Sequence, residues 1–428
     1  MRKIIKTVFQ KLEGPKDCGV LLICGQTGWN ETGRKSTGDR ILWNPSRFSC
    51  LSGIRIRKAI SGCSAAHSIL ITEEGKAMSF GRNEKGQLGN GTTDQVDEPT
   101  LINDLKEFTA VDAACGRNHT LVLTDHGTVW AFGDNKNGQC GIGQSHPPSV
   151  LHPSKMAFRG PRINKIACGA EFSMIVDRLG QLYSFGLPEY GQLGNNTDGK
   201  YFVTSTKLGH QCVYKPIPIS CFVEKSRDGV QPVHGVCIVD VACGNNHTIA
   251  MDSRGRVFSW GFGGYGRLGH SETKDEKVPR LIKFFDGPNR GASMIFAGSS
   301  FSLAFVQGLG GLYLWGQNNK AGEANMYPKP IQDLCGWAVH SLGCGNTSVV
   351  VAADDSVISF GPAPAYGELC YGENCKSSRK PKEVTLLDSV RVLRVACGYS
   401  HSMFIVRDDT DDDKKELEKF HLFSPSSS

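Results

Sequence analysis

The sequence predicts an all-β protein, a seven-bladed β-propeller of four-stranded antiparallel blades, and three observations predict it. First, a Cys-Gly turn recurs at Cys115, Cys168, Cys243 and Cys397, with looser copies at Cys63, Ala297 and Cys344, in steps of 52, 53, 75, 54, 47 and 53 residues. A period of about 40 to 55 residues built from short strands is the mark of a propeller. Second, the spacing from that turn to the next Phe-Gly or Trp-Gly is nearly fixed. It is 18 residues to Gly81, Gly133, Gly186 and Gly261, 19 to Gly316 and 17 to Gly361. Length variation is thereby confined to loops. Third, the last copy has no third strand of its own, because 18 residues beyond Cys397 the chain reads Asp411-Asp412-Asp413-Lys414-Lys415. Residues 19–25 read as a strand without a partner. Joining this N-terminal strand to the C-terminal strands of 390–407 closes the ring and removes the exposed sheet edges.

The elements of one repeat follow in order. Thr109–Cys115 alternates small or apolar residues with polar ones, the period of a strand. Gly116–Asn118 turns the chain into a second strand, His119–Thr124, and Asp125-His126-Gly127 makes a tight turn. Thr128–Gly133 is the third strand, and a glycine-bounded loop, Asp134–Gly141, leads outward. The stretch Glu98–Ile102 supplies the outer strand of the preceding unit. No segment between them carries a 3.6-residue apolar period long enough for a substantial helix.

This organisation gives an N-terminal tail over 1–17, a propeller over 18–407 with an insertion at 197–238, and a C-terminal tail over 408–428. The insertion accounts for the step of 75, which is 75 − 53 = 22 residues beyond its neighbour. In the tail, 408–413 is acidic, 414–423 has the composition of a short helix and 424–428 reads as disordered. Glycine, at 51 of 428 residues, is abundant because the fold needs many turns. Six of the sixteen cysteines, 63, 115, 168, 243, 344 and 397, recur at one repeat position and read as small apolar core residues, and free thiols in a reducing compartment are expected. No leader peptide or membrane span is expected, and the formal charge of +6 is too mild and too scattered for a dedicated nucleic-acid stripe.

Apparent chemical motifs dissolve into the repeat. Gly261–Gly266 satisfies G-x-G-x-x-G but continues into Arg267-Leu268-Gly269, the loop sequence of the other units, with no helix to meet a pyrophosphate. His67, His119, His247 and His401 share one repeat slot, which Phe172, Phe301 and Thr347 fill elsewhere. They read as buried imidazoles, each hydrogen-bonded within its own blade. Cys370 and Cys375 have no second pair to complete a zinc site. No catalytic residue, metal or cofactor is expected.

Function in such a ring is carried by loops on one face. The candidate partner-binding residues are Arg82, Glu84 and Lys85 in one loop, Glu189 and Tyr190 in another, Tyr265 and Arg267 in a third, and Lys225 and Arg227 in the insertion.

Histidine followed by Thr or Ser, Phe/Trp-Gly and Gly-Gln-Leu-Gly, repeated in order over residues 18–407, resembles the regulator of chromosome condensation family of seven-bladed propellers. The stretches Gly81–Gly89, Cys168–Met174, Trp260–His270 and Asp333–Trp337 resemble its mitotic, telophase-disc branch. That resemblance implies a monomeric, non-hydrolytic regulator of small GTPases of the Rac or Ral type, with guanine-nucleotide exchange as its activity. It further implies action in mitosis at the centromere and spindle, between nucleus and cytoplasm. The implied partners are the chromosomal passenger complex or microtubules, with weak contact to chromatin or nucleic acid. The other reading is a chromatin- or microtubule-binding adaptor without exchange activity. A photoreceptor like the related plant propeller needs a tryptophan cluster, whereas Trp29, Trp43, Trp130, Trp260, Trp315 and Trp337 are spread along this chain.

Overall fold

In the computed structural model, which describes residues 11–33, 40–317, 324–361 and 366–425, seven antiparallel sheets stand around a central channel. Blade one comprises Ile56–Ile60, His67–Thr72, Ala77–Gly81 and Val96–Leu101, and each later blade repeats that inner-to-outer order. Blade seven is built from both ends of the chain. Val20–Gln26 pairs antiparallel with His401–Val406, in register from Val20↔Val406 to Gly25↔His401. Ile41–Phe48 then forms the outer strand. The closure expected from sequence is therefore present, and every hydrogen-bonding edge of Val20–Gln26 is used.

Two repeated contacts join neighbouring blades, and both use the residues that define the repeat. In six of the seven blades an aromatic residue stands before the glycine at the end of the third strand: Phe80, Phe132, Phe185, Trp260, Trp315 or Phe360, each buried. In blades two to five it packs against the last glycine of the preceding blade's loop turn. A Cβ on Gly89, Gly141, Gly194 or Gly269 would lie 2.8–3.1 Å from Phe132, Phe185, Trp260 or Trp315. These glycines also sit at φ of 66–75°, so side-chain absence and left-handed backbone are required at one position.

The second contact corrects the sequence reading of the histidines. Each bonds across the blade boundary, not within its blade. His67 Nε2 lies 2.8 Å from Thr120 Oγ1, His119 Nε2 2.9 Å from Ser173 Oγ, His247 Nε2 2.9 Å from Ser302 Oγ and His401 Nε2 2.8 Å from Ser68 Oγ. The Thr120, Ser173 and Ser302 hydroxyls donate onward to the carbonyls of Gln87, Gln139 and Arg267. Each must then accept from Nε2–H, which fixes the neutral tautomer of its histidine. Burial lowers the histidine pKa to about 3 for His67 and His119 and about 4 for His401. In blade six the slot belongs to Ser348, four residues after Cys344 as in the other blades, and its carbonyl accepts from Gly345 N; the assignment to Thr347 falls one residue early.

The repeated cysteines are also relocated. Cys63, Cys115, Cys168, Cys243, Cys344 and Cys397, with Ala297, line a cavity of about 240 Å³ on the ring axis. They form channel wall, because the inner strand of each blade has a hydrogen-bonded neighbour on one edge only and turns the other edge to the ring axis. Burial raises their thiol pKa values, to about 12 for Cys63, Cys168 and Cys397, so they stay protonated and poorly nucleophilic. All sixteen cysteines are free thiols.

The expected 197–238 insertion is two excursions. Between them runs Val213–Ile219, the outer strand of blade three, paired with Leu182–Gly186. The first excursion is a hairpin, Lys200–Phe202 with Leu208–His210. The second, Val223–Ser226 with Gly229–Pro232, attaches to the outer strand of blade four through Val223↔Arg280. The fourth strand of blade three has to lie within the long step, which forces the division.

The C-terminal segment does not trail from the ring. Its helix spans Asp411–Glu418, earlier than the expected 414–423, because Thr410 and Asp413 form a capping box and the acidic first turn favours the helix N-terminus. His421–Phe423 then pairs parallel with Ser46–Phe48, giving blade seven a fifth strand. Arg55 holds Asp408 at 2.7 Å and Asp409 at 2.7 Å, and the buried Leu417 packs into the cluster containing Leu387 and Val390.

Candidate interaction face

Antiparallel strands send alternate connections to opposite ends of a blade. The first turn (Cys-Gly to His) and the third loop (after Phe/Trp-Gly) therefore open on one face, while the second turn and the blade-to-blade links open on the other. Seven of the nine candidate residues stand in third loops and share the first face. Arg82, Glu84 and Lys85 belong to blade one, Glu189 and Tyr190 to blade three, and Tyr265 and Arg267 to blade four.

Their local roles differ. Arg82 Nε donates to the carbonyl of Trp29 at 3.1 Å, so it ties the blade-one loop to that of blade seven. Glu84 and Lys85 are exposed at the loop tip. Tyr190 from blade three and Phe262 from blade four meet with ring centres 4.8 Å apart and planes tilted by 52°, and Arg267 lies 4.6 Å from the Phe262 ring and 5.7 Å from Tyr265. Burial together with the hydrogen bond and charge of Glu189 raises the Tyr190 pKa. Glu189, Tyr190, Tyr265 and Arg267 are thus brought to one blade junction. Lys225 and Arg227 lie apart, on the second hairpin at the outer rim. Lys225 Nζ is 2.6 Å from the buried Glu276, an anchor for that hairpin, and Arg227 is exposed in its turn.

The loops are rigid by construction. In the Gly-x-Leu-Gly turns, and in their variants Gly138-Gln139-Cys140-Gly141 and Gly367-Glu368-Leu369-Cys370, the side chain of the second residue folds back on the backbone. Gln87 accepts from Lys85 N, Gln139 from Asn137 N, Gln192 from Tyr190 N and Glu368 from Tyr366 N, at 2.7–2.9 Å. Arg267 cannot accept, so in blade four its guanidinium donates instead, Nε to Gly264 O at 2.9 Å and Nη1 to Ser299 O at 3.3 Å. At the channel mouth Asn245 of blade four reaches Cys63 of blade one, whose thiol donates to Oδ1 at 3.7 Å, and its Nδ2 donates to Ser299 Oγ at 2.7 Å.

The residues that sequence reasoning missed are apolar. The first hairpin stands on this face with Phe202 74% exposed and Tyr201, Val203 and Leu208 each about half exposed. Its base is pinned by Asp198, which accepts from Lys277 at 2.9 Å, and by Gln211 N donating to Gly199 O at 2.7 Å. The Lys277 hydrogen bond holds the Asp198 carboxyl below the usual range. The signal was legible as Tyr201-Phe202-Val203, an apolar triplet in an otherwise polar loop. Among the described residues no group of three or more His, Cys, Asp or Glu could hold a metal, and no helix is long and apolar enough to cross a membrane.

Comparison with known proteins agrees with this geometry. The profile of the regulator of chromosome condensation (RCC1) repeat matches residues 74–123, 126–176, 180–251, 254–305 and 354–405. The first match opens before the third strand of blade one and ends within the second strand of blade two, so the sequence repeat straddles a blade boundary. Human Protein RCC2 is 52% identical over 426 residues, which is 97% of this chain and 81% of that protein. Among solved structures, human WBSCR16 superposes with a TM-score of 0.74 at 20% identity, over 92% of this chain and all of that one. Prp20p of Saccharomyces cerevisiae gives 0.70 at 18% identity, over 96% of each.

Proposed function

The chain belongs to the regulator of chromosome condensation (RCC1) repeat family, and on that footing we propose that it is a non-hydrolytic regulator and scaffold whose loop face binds a small GTPase of the Rac or Ral type. The observation that carries this reading is the apolar hairpin Lys200–His210, held at its base by Asp198 and exposing Phe202 at its tip. An exposed apolar patch on a pinned protrusion marks a protein contact. Glu189, Tyr190, Tyr265, Arg267 and, further round, Arg82, Glu84 and Lys85 offer polar groups on the same face, with Lys225 and Arg227 at its rim.

Exchange by such a surface needs no covalent chemistry. It requires tighter binding to the nucleotide-free GTPase than to the loaded one, so that binding shifts the population toward nucleotide release. Prp20p, whose fold this chain shares, has binding properties toward Gsp1p and histones. For this chain we place the activity in mitosis, at centromere and spindle with nuclear and cytoplasmic pools, in contact with the chromosomal passenger complex or microtubules. The test is release of labelled GDP from Rac-, Ral- and Ran-type GTPases with and without the full chain. Acceleration that Phe202→Ser abolishes supports the reading. Absence of both acceleration and a complex with any nucleotide-free GTPase overturns it.

The adaptor reading draws on a different surface. The outer strand of blade six, Ser378–Glu383, exposes Arg379, Lys380 and Lys382. Binding to nucleosomes or microtubules through that strand would weaken steeply with salt, and co-sedimentation at two ionic strengths reports it.

A further inference from the structure

We propose that Arg267 forms a carboxylate-binding notch beside the channel mouth, lidded by Tyr265, which takes an aspartate or glutamate side chain from a protein bound to the loop face. This inference rests on the loop face being the interaction face and assigns the chemistry of one contact within it.

Arg267 is 4% exposed, yet among the described residues no carboxylate lies within ion-pair distance of it. Its acceptors are two backbone carbonyls, Gly264 O and Ser299 O, its guanidinium lies by the rings of Phe262 and Tyr265, and Asp275, Cys63 and Tyr190 are near enough to act on its charge without pairing it. Three of its five N–H groups are left without an acceptor among the described residues. A buried charge is ordinarily paired, because desolvation is otherwise uncompensated. Two other arginines with largely covered side chains have such pairs: Arg256, its side chain 10% exposed, with Asp252 at 2.6 Å, and Arg280, its side chain 13% exposed, with Glu276 at 2.9 Å. Burial lowers the Arg267 pKa to about 10, so it remains charged at neutral pH.

Two further observations point to an incoming ligand. Tyr265 holds φ 61°, ψ 16°, a left-handed backbone rare for an aromatic residue, and its ring is 52% exposed over the guanidinium. Strain of this kind persists where the surroundings impose it, and it gathers at ligand clamps. Moreover, the slot is occupied by Gln87, Gln139 and Gln192 in blades one to three, where the side chain closes the turn on itself. The arginine is therefore not needed for the loop to fold.

Charge complementarity selects the occupant. One uncompensated guanidinium, walled by aromatic faces, suits a monoanion on an apolar stem. Arg117 is already taken by Glu171 at 3.0 Å, and Asp275 and Glu189 stand close by, which disfavours a dianionic phosphate. A carboxylate can accept two parallel N–H groups from the guanidinium edge.

The test titrates the full chain, with its arginine side chains isotopically labelled, with three probes: acetyl-Gly-Glu-Gly-amide, its Gln counterpart and inorganic phosphate. The expected result is a saturable shift of the Arg267 Nε–H resonance with the glutamate peptide, with binding about tenfold weaker for the other two probes. Arg267→Gln, which installs the repeat's own residue, should abolish binding while leaving the unfolding midpoint unchanged. Tyr265→Gly, which relieves the positive φ and opens the lid, should retain it. No saturable response of Arg267, or phosphate binding as tightly as the glutamate peptide, overturns the proposal. The peptide titration uses no GTPase. A chain that captures the peptide but no GTPase defeats only the functional reading, and one that binds a GTPase without an Arg267 response defeats only the notch.

Discussion

Cys370 and Cys24 replace a glycine and an aromatic ring together. Cys370 holds φ 63° at the loop position filled by Gly89, Gly141, Gly194 and Gly269, and Cys24 stands where the facing blade otherwise carries Phe or Trp. Both are buried in one cluster. The junction between blades six and seven has thus exchanged a large side chain against none for two of intermediate size, conserving volume. This is also the junction where the N-terminal strand enters.

Cys24→Phe alone should therefore overpack this junction, costing about 1–3 kcal/mol. Cys370→Gly alone should change stability little, since relief of the positive φ offsets lost contacts. The double variant should recover most of the loss, with a coupling of about 0.5–3 kcal/mol. Urea midpoints of the four proteins measure it, and simple additivity would refute the compensation.

The buried histidines make stability pH-dependent in a defined direction. Their pKa falls from 6.5 when exposed to about 3 for His67 and His119 in the fold. Above pH 6.5 both folded and unfolded chains carry neutral rings and the contribution is complete. Below it the unfolded chain takes up protons that the ring excludes, so stability falls as pH drops from 6.5 toward 3. The slope approaches about 1.4 kcal/mol per pH unit for each histidine. Unfolding at pH 7.5, 6.5 and 5.5 reads this before most carboxylates titrate. His119→Phe, the residue type that Phe172 and Phe301 place in this slot, should reduce the slope.

Glu368 acts with the opposite sign. It fills a glutamine slot, and burial raises its pKa from 4.5 to about 7. Between these values the fold holds a proton that the unfolded chain has released, so its contribution is full below pH 4.5 and lost as pH rises through 7. Glu368→Gln should stabilise the ring by roughly 1–3 kcal/mol at pH 8 and by almost nothing at pH 4. Equal effects at both values would contradict the assignment.

Phe202→Ser should leave the unfolding midpoint within about 0.5 kcal/mol of the original, since the ring is exposed. If Phe202 anchors a partner, the same change should weaken the complex by about 2 kcal/mol. Titration calorimetry beside urea unfolding separates the two effects.

Repeat geometry was readable because it is local and recurrent. The Cys-Gly turn, the fixed spacing to Phe/Trp-Gly and the unpaired residues 19–25 each follow from strand length and turn chemistry. So does the dismissal of Gly261–Gly266 as a nucleotide loop. Contacts between blades were not readable in that way. His67 meets Thr120 and Gly89 meets Phe132 only because successive wedges are set side by side in the ring. The helix at Asp411–Glu418 and the strand His421–Phe423 were displaced from expectation by a cap and by an open outer edge on blade seven.

The number of blades, their strand order and the closure of the ring were thus written in the chain, because each depends on patterns within one repeat length. It took the assembled ring to put the cysteines on a channel wall, to neutralise Lys225 with Glu276, and to bury Arg267 with no carboxylate in ion-pair distance among the described residues. Burial and pairing depend on residues a whole blade or more away in sequence, and no local pattern records which of them the ring will bring together.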